Sequence, residues 1–392
     1  MSRSLIIESK KTRYLFLDNI KVLFTILVIF WHTTNTYMEG GWWYYKESNV
    51  IDPITEVAFF IIFAVGGIFQ TSLLGLFFLL GGYFTPNSYD RKGARAFWKE
   101  RLVRIGIPLL IYSVFINPLL IYAVSRLGLP TPETNPMLQG SFLDYYFSIH
   151  FFEMARPMWF LKVLLIFTAI YTLGRQFIKL GAIQRKIPRE ISIPRYTHLL
   201  LLAIGLGCLT FLVRIFYNID NRPLEIPLGQ LIQYFLLFSV GVICIRHRWF
   251  EKMSKKQVKI WVITILSVVV LVFLDLLFVV GTYGNLNDFS GGANFHAFLF
   301  AVVDNVICIG MIFVMVKVFY AKFNTQEPIL RNLSASAYHM YLLHPPVALS
   351  IALVLSSLAL SPILKLAFVF LLTILTCYLT SHYIIQKINL KK

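Results

Sequence analysis

Long apolar runs recur from one end of the chain to the other, each closed by a short polar connection. Ten such segments can be drawn, over 15–37, 56–84, 102–124, 157–178, 197–217, 227–245, 258–281, 295–319, 335–358 and 361–385. Each is close to the roughly 20 residues an α-helix needs to cross the hydrocarbon of a bilayer. The runs are continuous rather than alternating, so they predict helices and exclude the strands of a membrane barrel. The expected fold is an all-α polytopic membrane protein with about ten transmembrane helices. It forms a single membrane domain over 1–392, with 1–14 and 386–392 as cytoplasmic ends. The second run is long and carries Gly66-Gly67 and Gly81-Gly82, which predicts tilt, a break or a re-entrant end. No internal repeat, low-complexity stretch or soluble domain interrupts the series.

Composition agrees with this pattern. Of 392 residues, 57% are hydrophobic and only 14% charged, against roughly 25% charged in soluble domains. The net charge of +17 would point to nucleic acid in a soluble protein. Here the basic residues divide by connection. The N-terminus and the connections 85–104, 174–196, 246–259, 317–333 and the C-terminus hold 28 Lys and Arg, whereas the alternate connections hold only Lys46, Arg126, Arg156 and Arg222. Lys21, Lys162, Arg214 and Lys365 remain within spans. The positive-inside rule then places both termini in the cytoplasm, and nucleic acid is not an expected partner. Cys208, Cys244, Cys308 and Cys377 all lie in apolar spans without metal-ligand spacing, so they read as small packing residues.

Ionisable residues inside a span are costly and mark candidate sites. In the first span, Asp18, Lys21, Thr25 and His32 fall within about 60° of one another at 100° per residue. Lys21 and His32 are about 16 Å apart along such a helix. This stripe runs from the basic boundary toward the other half of the membrane, unless Asp18 and Lys21 simply pair and His32 bonds a neighbouring helix. A second stripe, Ser334, Tyr338, Tyr341 and His344, precedes Pro345-Pro346. Tyr341 and His344 share a face, and the prolines remove backbone donors beside them. The connection Arg91 to Arg104 is either a topology signal or a phosphate site, since Arg forks and Lys charges suit phosphate oxygens. Serine-hydrolase, P-loop and zinc-protease motifs are missing from the sequence.

Taken in order, several segments resemble the acyltransferase-3 family. They are Asp18-Asn-Ile-Lys21 leading to His32, the run Phe77–Phe84, Arg101 to Pro108, Trp159-Phe-Leu161, and Ser336 to His344. The resemblance covers essentially the whole chain. It implies an integral membrane enzyme of the bacterial plasma membrane that O-acylates extracytoplasmic carbohydrate, with acetyl-CoA or succinyl-CoA as donor substrate and no tightly bound cofactor or metal. His32, Tyr341 and His344 would be catalytic, His32 as general base or as a nucleophile carrying the acyl group. Lys21, with Asp18, Arg101 and Arg104, would hold the donor. Lys21 stands where the family has Arg, keeping the charge but not the bidentate fork. The carbohydrate would approach from the other side, near Trp42, Trp43 and the 125–156 connection, where aromatic rings could stack on sugars.

A secondary transporter of a glycan or lipid precursor is the alternative from another class, but its inverted repeats and paired broken helices are not evident in the sequence. Topology is directly testable. Tags at both termini should be accessible from the cytosol, and tags in 125–156 and 282–293 from outside. Labelling of a tag at residue 185 from outside would overturn the assignment.

Overall fold

A computed structural model describes residues 14–38, 43–47, 52–127, 141–148, 157–180, 192–219, 221–247, 249–282 and 286–385. Among these residues all regular structure is helical, as the uniform apolar runs require. In chain order the helices are α1 (Leu15–Tyr37), α2 (Pro53–Arg101), α3 (Ile107–Ile111), α4 (Asn117–Arg126), α5 (Phe142–Ser148), α6 (Trp159–Leu180) and α7 (Tyr196–Arg214). Then follow α8 (Leu228–His247), α9 (Trp249–Lys252), α10 (Lys255–Thr282), α11 (Phe295–Lys322), α12 (Pro328–Ser356) and α13 (Pro362–Leu379). Of the expected acceptor side, Trp42 and residues 128–140 and 149–156 of the 125–156 connection lie outside the described residues.

Nine helical runs among the described residues are long and apolar enough to cross a membrane, and one of them, Pro53–Arg126, spans 74 residues. That run contains both the second and the third predicted segments. It doubles back at Gly93, whose φ of 74° and ψ of 166° are open only to glycine. Residues 85 and 101 would be about 24 Å apart in a straight helix. Instead, Arg101 Nη2 donates to Thr85 Oγ1 at 2.9 Å, and Phe97 meets Tyr89 edge-on at 5.4 Å. An ion pair between Lys92 and Glu100 closes the turn. After the turn the helix loosens into two wide π-helical turns, Leu102–Gly106 and Tyr112–Ile116, flanking α3.

Lipid offers no hydrophobic drive for helix association, so close packing decides which helices meet. The glycines of the second run work in this way. A Cβ at Gly82 would lie 1.9 Å from the Phe238 carbonyl oxygen, and one at Gly241 would lie 2.0 Å from that of Leu79. Backbones of α2 and α8 therefore touch along this seam. At the centre stand α1 and α11. Phe16, Ile20 and Phe24 of α1 pack with Leu76 and Leu80 of α2 and with Cys308 and Ile312 of α11. Seventy-two per cent of the apolar window of α11 is buried against 11% for α10, which puts α10 on the periphery. One end of the bundle carries Lys21, Arg101 and Arg104, and is called the basic end below. Residues 37–38 and 43–47 lie at the far end, where Tyr37, Trp43 and Tyr45 pack with Ala348 and Leu349 of α12 and Val369 of α13.

Candidate active site

The polar stripe of α1 faces a large, partly open cavity. Lys21, Thr25, Val28, His32 and Asn35, spaced by three or four residues, line a space of about 2010 Å³ that continues to Arg101 and Arg104 at one end and to Arg222 and Asn287 at the other. Donors of the polar run after His32 turn back onto their own helix. Thr34 Oγ1 donates to the Phe30 carbonyl at 2.8 Å and Asn35 Nδ2 to the Trp31 carbonyl at 2.8 Å. His32 instead reaches another helix: its Nδ1 lies 2.8 Å from Nε2 of His344 on α12.

The direction of that bond follows from α12. In a regular helix the Tyr341 carbonyl would accept the N–H of residue 345, but Pro345 has none. His344 fills the vacancy, its Nδ1 lying 2.7 Å from the Tyr341 oxygen. A carbonyl only accepts, so Nδ1 of His344 carries the proton, and in the neutral ring Nε2 is the lone-pair nitrogen. The 2.8 Å contact is then His32 Nδ1–H donating to His344 Nε2. With both rings neutral, the lone pair of His32 is left on its Nε2. Tyr341 thus joins the arrangement through its backbone, while its hydroxyl donates to the Pro157 carbonyl at 3.3 Å and its ring lines the cavity.

Trp43 covers the pair. Its indole stacks on His32 at 4.5 Å and 18°, and lies parallel to His344 at 6.1 Å. This corrects the expectation of an open ring for sugars, because Trp43 is 2% exposed and already occupied by the imidazoles. The segment that carries it is pinned on three sides. Glu47 N–H donates to the Thr36 carbonyl at 2.9 Å, the Glu47 carboxylate pairs with Lys365 of α13, and the Tyr44 hydroxyl meets those of Tyr112 at 2.6 Å and the Asn117 side chain. Tyr145, from the loop expected to face the acceptor, is likewise buried.

At the basic end the expected donor residues gather. Lys21 pairs with Asp18 at 3.0 Å and lies over the Phe84 ring at 4.5 Å. Arg101 is held by Thr85, and Arg104, 74% exposed, reaches Glu100 at 3.3 Å. The Tyr338 hydroxyl donates to the Arg104 carbonyl, another oxygen whose α-helical donor would have been a proline, Pro108. Asp18 does not line the cavity with Lys21; it anchors the ammonium from behind.

Two buried ion pairs were not foreseen. Arg214 Nη2 meets Asp304 at 2.7 Å, both nearly inaccessible, and Lys365 meets Glu47. The signal was an unmatched cation inside a span, which calls for a carboxylate. The partners lie 90 and 318 residues away in the chain, beyond any local pattern. Among the described residues no three His, Cys, Asp or Glu side chains are grouped to hold a metal.

Comparison with known proteins gives a consistent result. The family model Acyl_transf_3, described as an acyltransferase domain, matches residues 14–382. The glucans biosynthesis protein C of Escherichia coli O6:K15:H31 (strain 536 / UPEC) is 27% identical over 158 residues, which are 40% of this chain and 38% of that protein. The counterparts from Escherichia coli O1:K1 / APEC and O157:H7 (strain EC4115 / EHEC) match over the same shares at the same identity. The aligned region is thus well under half of each relative. No solved structure matches the chain.

The roof over the imidazoles depends on a buried ion pair, and removing one partner strands the other. Glu47→Gln or Lys365→Met alone should each destabilise the protein by about 3–5 kcal/mol, while the double substitution should recover a large part of that loss. Thermal unfolding of the purified variants, read as a double-mutant cycle, measures the coupling. Additive losses would show that the pair is not coupled.

Proposed function

The chain belongs to the acyltransferase-3 family, and on that premise we propose that this membrane acyltransferase moves an acyl group from an acyl-CoA at the basic end to a carbohydrate hydroxyl entering from the far end. One observation carries the assignment of the reacting centre: the hydrogen bond of His32 to His344, whose direction is set by the Tyr341 carbonyl. It fixes the ring of His32 and leaves Nε2 as its basic nitrogen, in a residue that lines the cavity. A histidine oriented through its other nitrogen is the usual arrangement of a general base.

In the proposed reaction, His32 Nε2 takes the proton of the acceptor hydroxyl as its oxygen attacks the thioester carbonyl. The C–S bond then breaks, and the departing thiolate receives that proton from the imidazolium. His344 accepts the hydrogen bond of the transient cation, and the stacked Trp43 face favours the same charge. Direct transfer is favoured over an acyl-imidazole because His32 lines the same cavity as Arg101 and Arg104 and as Arg222. Donor and acceptor can therefore meet at a single ring. The separation of about 16 Å between Lys21 and His32 along α1 suits a pantetheine arm that leaves the CoA phosphates among Lys21, Arg101 and Arg104. The extracytoplasmic carbohydrate acceptor and the plasma-membrane location rest on the resemblance to the glucan-modifying members of the family. The distant match to glucans biosynthesis protein C supports the carbohydrate class of the acceptor.

Transfer of acyl from acyl-CoA to a glucoside by purified protein tests this reading. His32→Gln keeps polarity without basicity and should lower kcat by about 10²–10⁴ with donor binding retained. Substantial turnover in that variant would remove His32 from the chemistry.

The donor end makes a separate demand. Arg101→Gln combined with Arg104→Gln should raise the KM for acyl-CoA with little change in kcat, and the effect should shrink as salt is added. A folded double variant with unchanged KM would make the basic run a topology signal alone.

A further inference from the structure

The cavity that holds His32 is not walled by polar surface, as a site for a water-borne sugar would be. One wall is a single face of α10, formed by Val269, Val272, Phe273, Leu276 and Leu277 at spacings of one helical turn. The N-terminal half of α2, which like α10 packs on α11, lines the same cavity with Phe60, Phe63 and Phe69. Val303 and Ile307 of α11 line the space as well. Phe60, Phe63, Phe273 and Leu277 are all about half exposed, so the space opens sideways between the helices as a cleft. The cleft lies beside the peripheral helix α10, at the depth of the hydrocarbon, where water is not the natural filling.

Its far end is different. Arg222, Asn287 and Ser290 line the rim, with Gln230 and Asp304 beneath them. Apolar walls below a cationic and amide-bearing rim match an amphiphile with its tail in the bilayer and its polar head at the far face. The acyl-CoA head belongs to the opposite, basic end, so this amphiphile is the other substrate.

We propose that the acceptor is a membrane-anchored carbohydrate, whose lipid tail occupies the cleft between α2 and α10 while its head, held at the Arg222 rim, presents a hydroxyl to His32. The inference rests on the acyltransfer reading above and names the class of acceptor. Anchoring offers a physical gain: each methylene moved out of water favours binding, and a tail fixed in the cleft orients the head toward one imidazole.

The experiment uses the full chain in lipid nanodiscs, with acetyl-CoA or succinyl-CoA as donor and two acceptors, methyl β-glucoside and dodecyl β-glucoside. The dodecyl acceptor should show a kcat/KM at least tenfold higher. Leu276→Trp combined with Val272→Trp, which fills the cleft, should bring that ratio down toward one. A dodecyl glucoside with a diazirine in its tail should label peptides of α2 and α10 in the unaltered protein. Equal rates on the two acceptors would overturn the proposal. So would a ratio that survives the Trp substitutions, because that reflects partitioning into the bilayer. A preference that follows the chain length of the acyl donor instead would also overturn it and give the cleft to the donor. Labelling of α2 and α10 without transfer to either glucoside would sustain the cleft and overturn the acyltransfer reading, so the two failures are distinguishable.

Discussion

One backbone carbonyl that its own helix cannot satisfy governs the arrangement of the candidate site. In a bilayer an unpaired carbonyl is expensive, because no water reaches it. Pro345 withdraws the donor that Tyr341 would have used, and the nearest side chain able to replace it is His344, one turn away. That replacement fixes where the proton of His344 sits, which fixes the proton of His32, which leaves a basic nitrogen on the ring lining the cavity. A chemical property of α1 is thus determined by a missing N–H on α12. The catalytic acids and bases of soluble enzymes are often oriented by a carboxylate. Here a neutral imidazole and a carbonyl orient the ring of His32.

The surrounding structure keeps that relay in one geometry. Trp43 could not lie flat on two imidazoles if residues 43–47 were free to leave the bundle, and a chain end tied only by apolar contacts would have many near-equivalent positions. The Glu47–Lys365 pair removes that freedom. A buried ion pair adds little net stability relative to an apolar pair, but it tolerates few alternative arrangements. Arg214 and Asp304 act in the same way between α7 and α11, where Gly291 also approaches the Arg214 carbonyl too closely to carry a side chain. Specific position, more than depth of the energy minimum, is what these costly charges supply.

Much of this was legible in the chain, and for identifiable reasons. The spans follow from the apolar runs, and the stripe from Lys21 to His32 follows from helical periodicity, since both are local properties. Pro345-Pro346 beside His344 marked a place where the backbone would need help. What the sequence could not disclose was who provides it: that His344 turns to its own Tyr341 carbonyl is local, but that its other nitrogen meets α1 is a contact over 312 residues. The reversal at Gly93 was hidden for a related reason. A glycine within a basic helical stretch predicts flexibility as readily as a turn, and only the return of Arg101 to Thr85 distinguishes them. Trp43 misled because a tryptophan at a membrane boundary commonly faces the interface, whereas here tertiary packing draws it inward.

The substitution of Lys for the family's Arg at position 21 is intelligible in the same terms. An arginine fork is most useful where it can bind phosphate through two parallel bonds. In this chain the ammonium of Lys21 is held between Asp18 and the face of Phe84, the fork of Arg101 is engaged by Thr85, and Arg104 is largely in solvent beside Glu100. The basic end therefore offers a neighbourhood of positive charge rather than a rigid clamp. Charge contacts of that kind are screened by salt and released readily. On the proposed reading, a donor that arrives charged with an acyl group and departs without it is well served by such contacts. The demanding geometry is then confined to the buried imidazoles, about three turns of α1 away, where screening is weak and a small displacement of the reacting atoms is most costly.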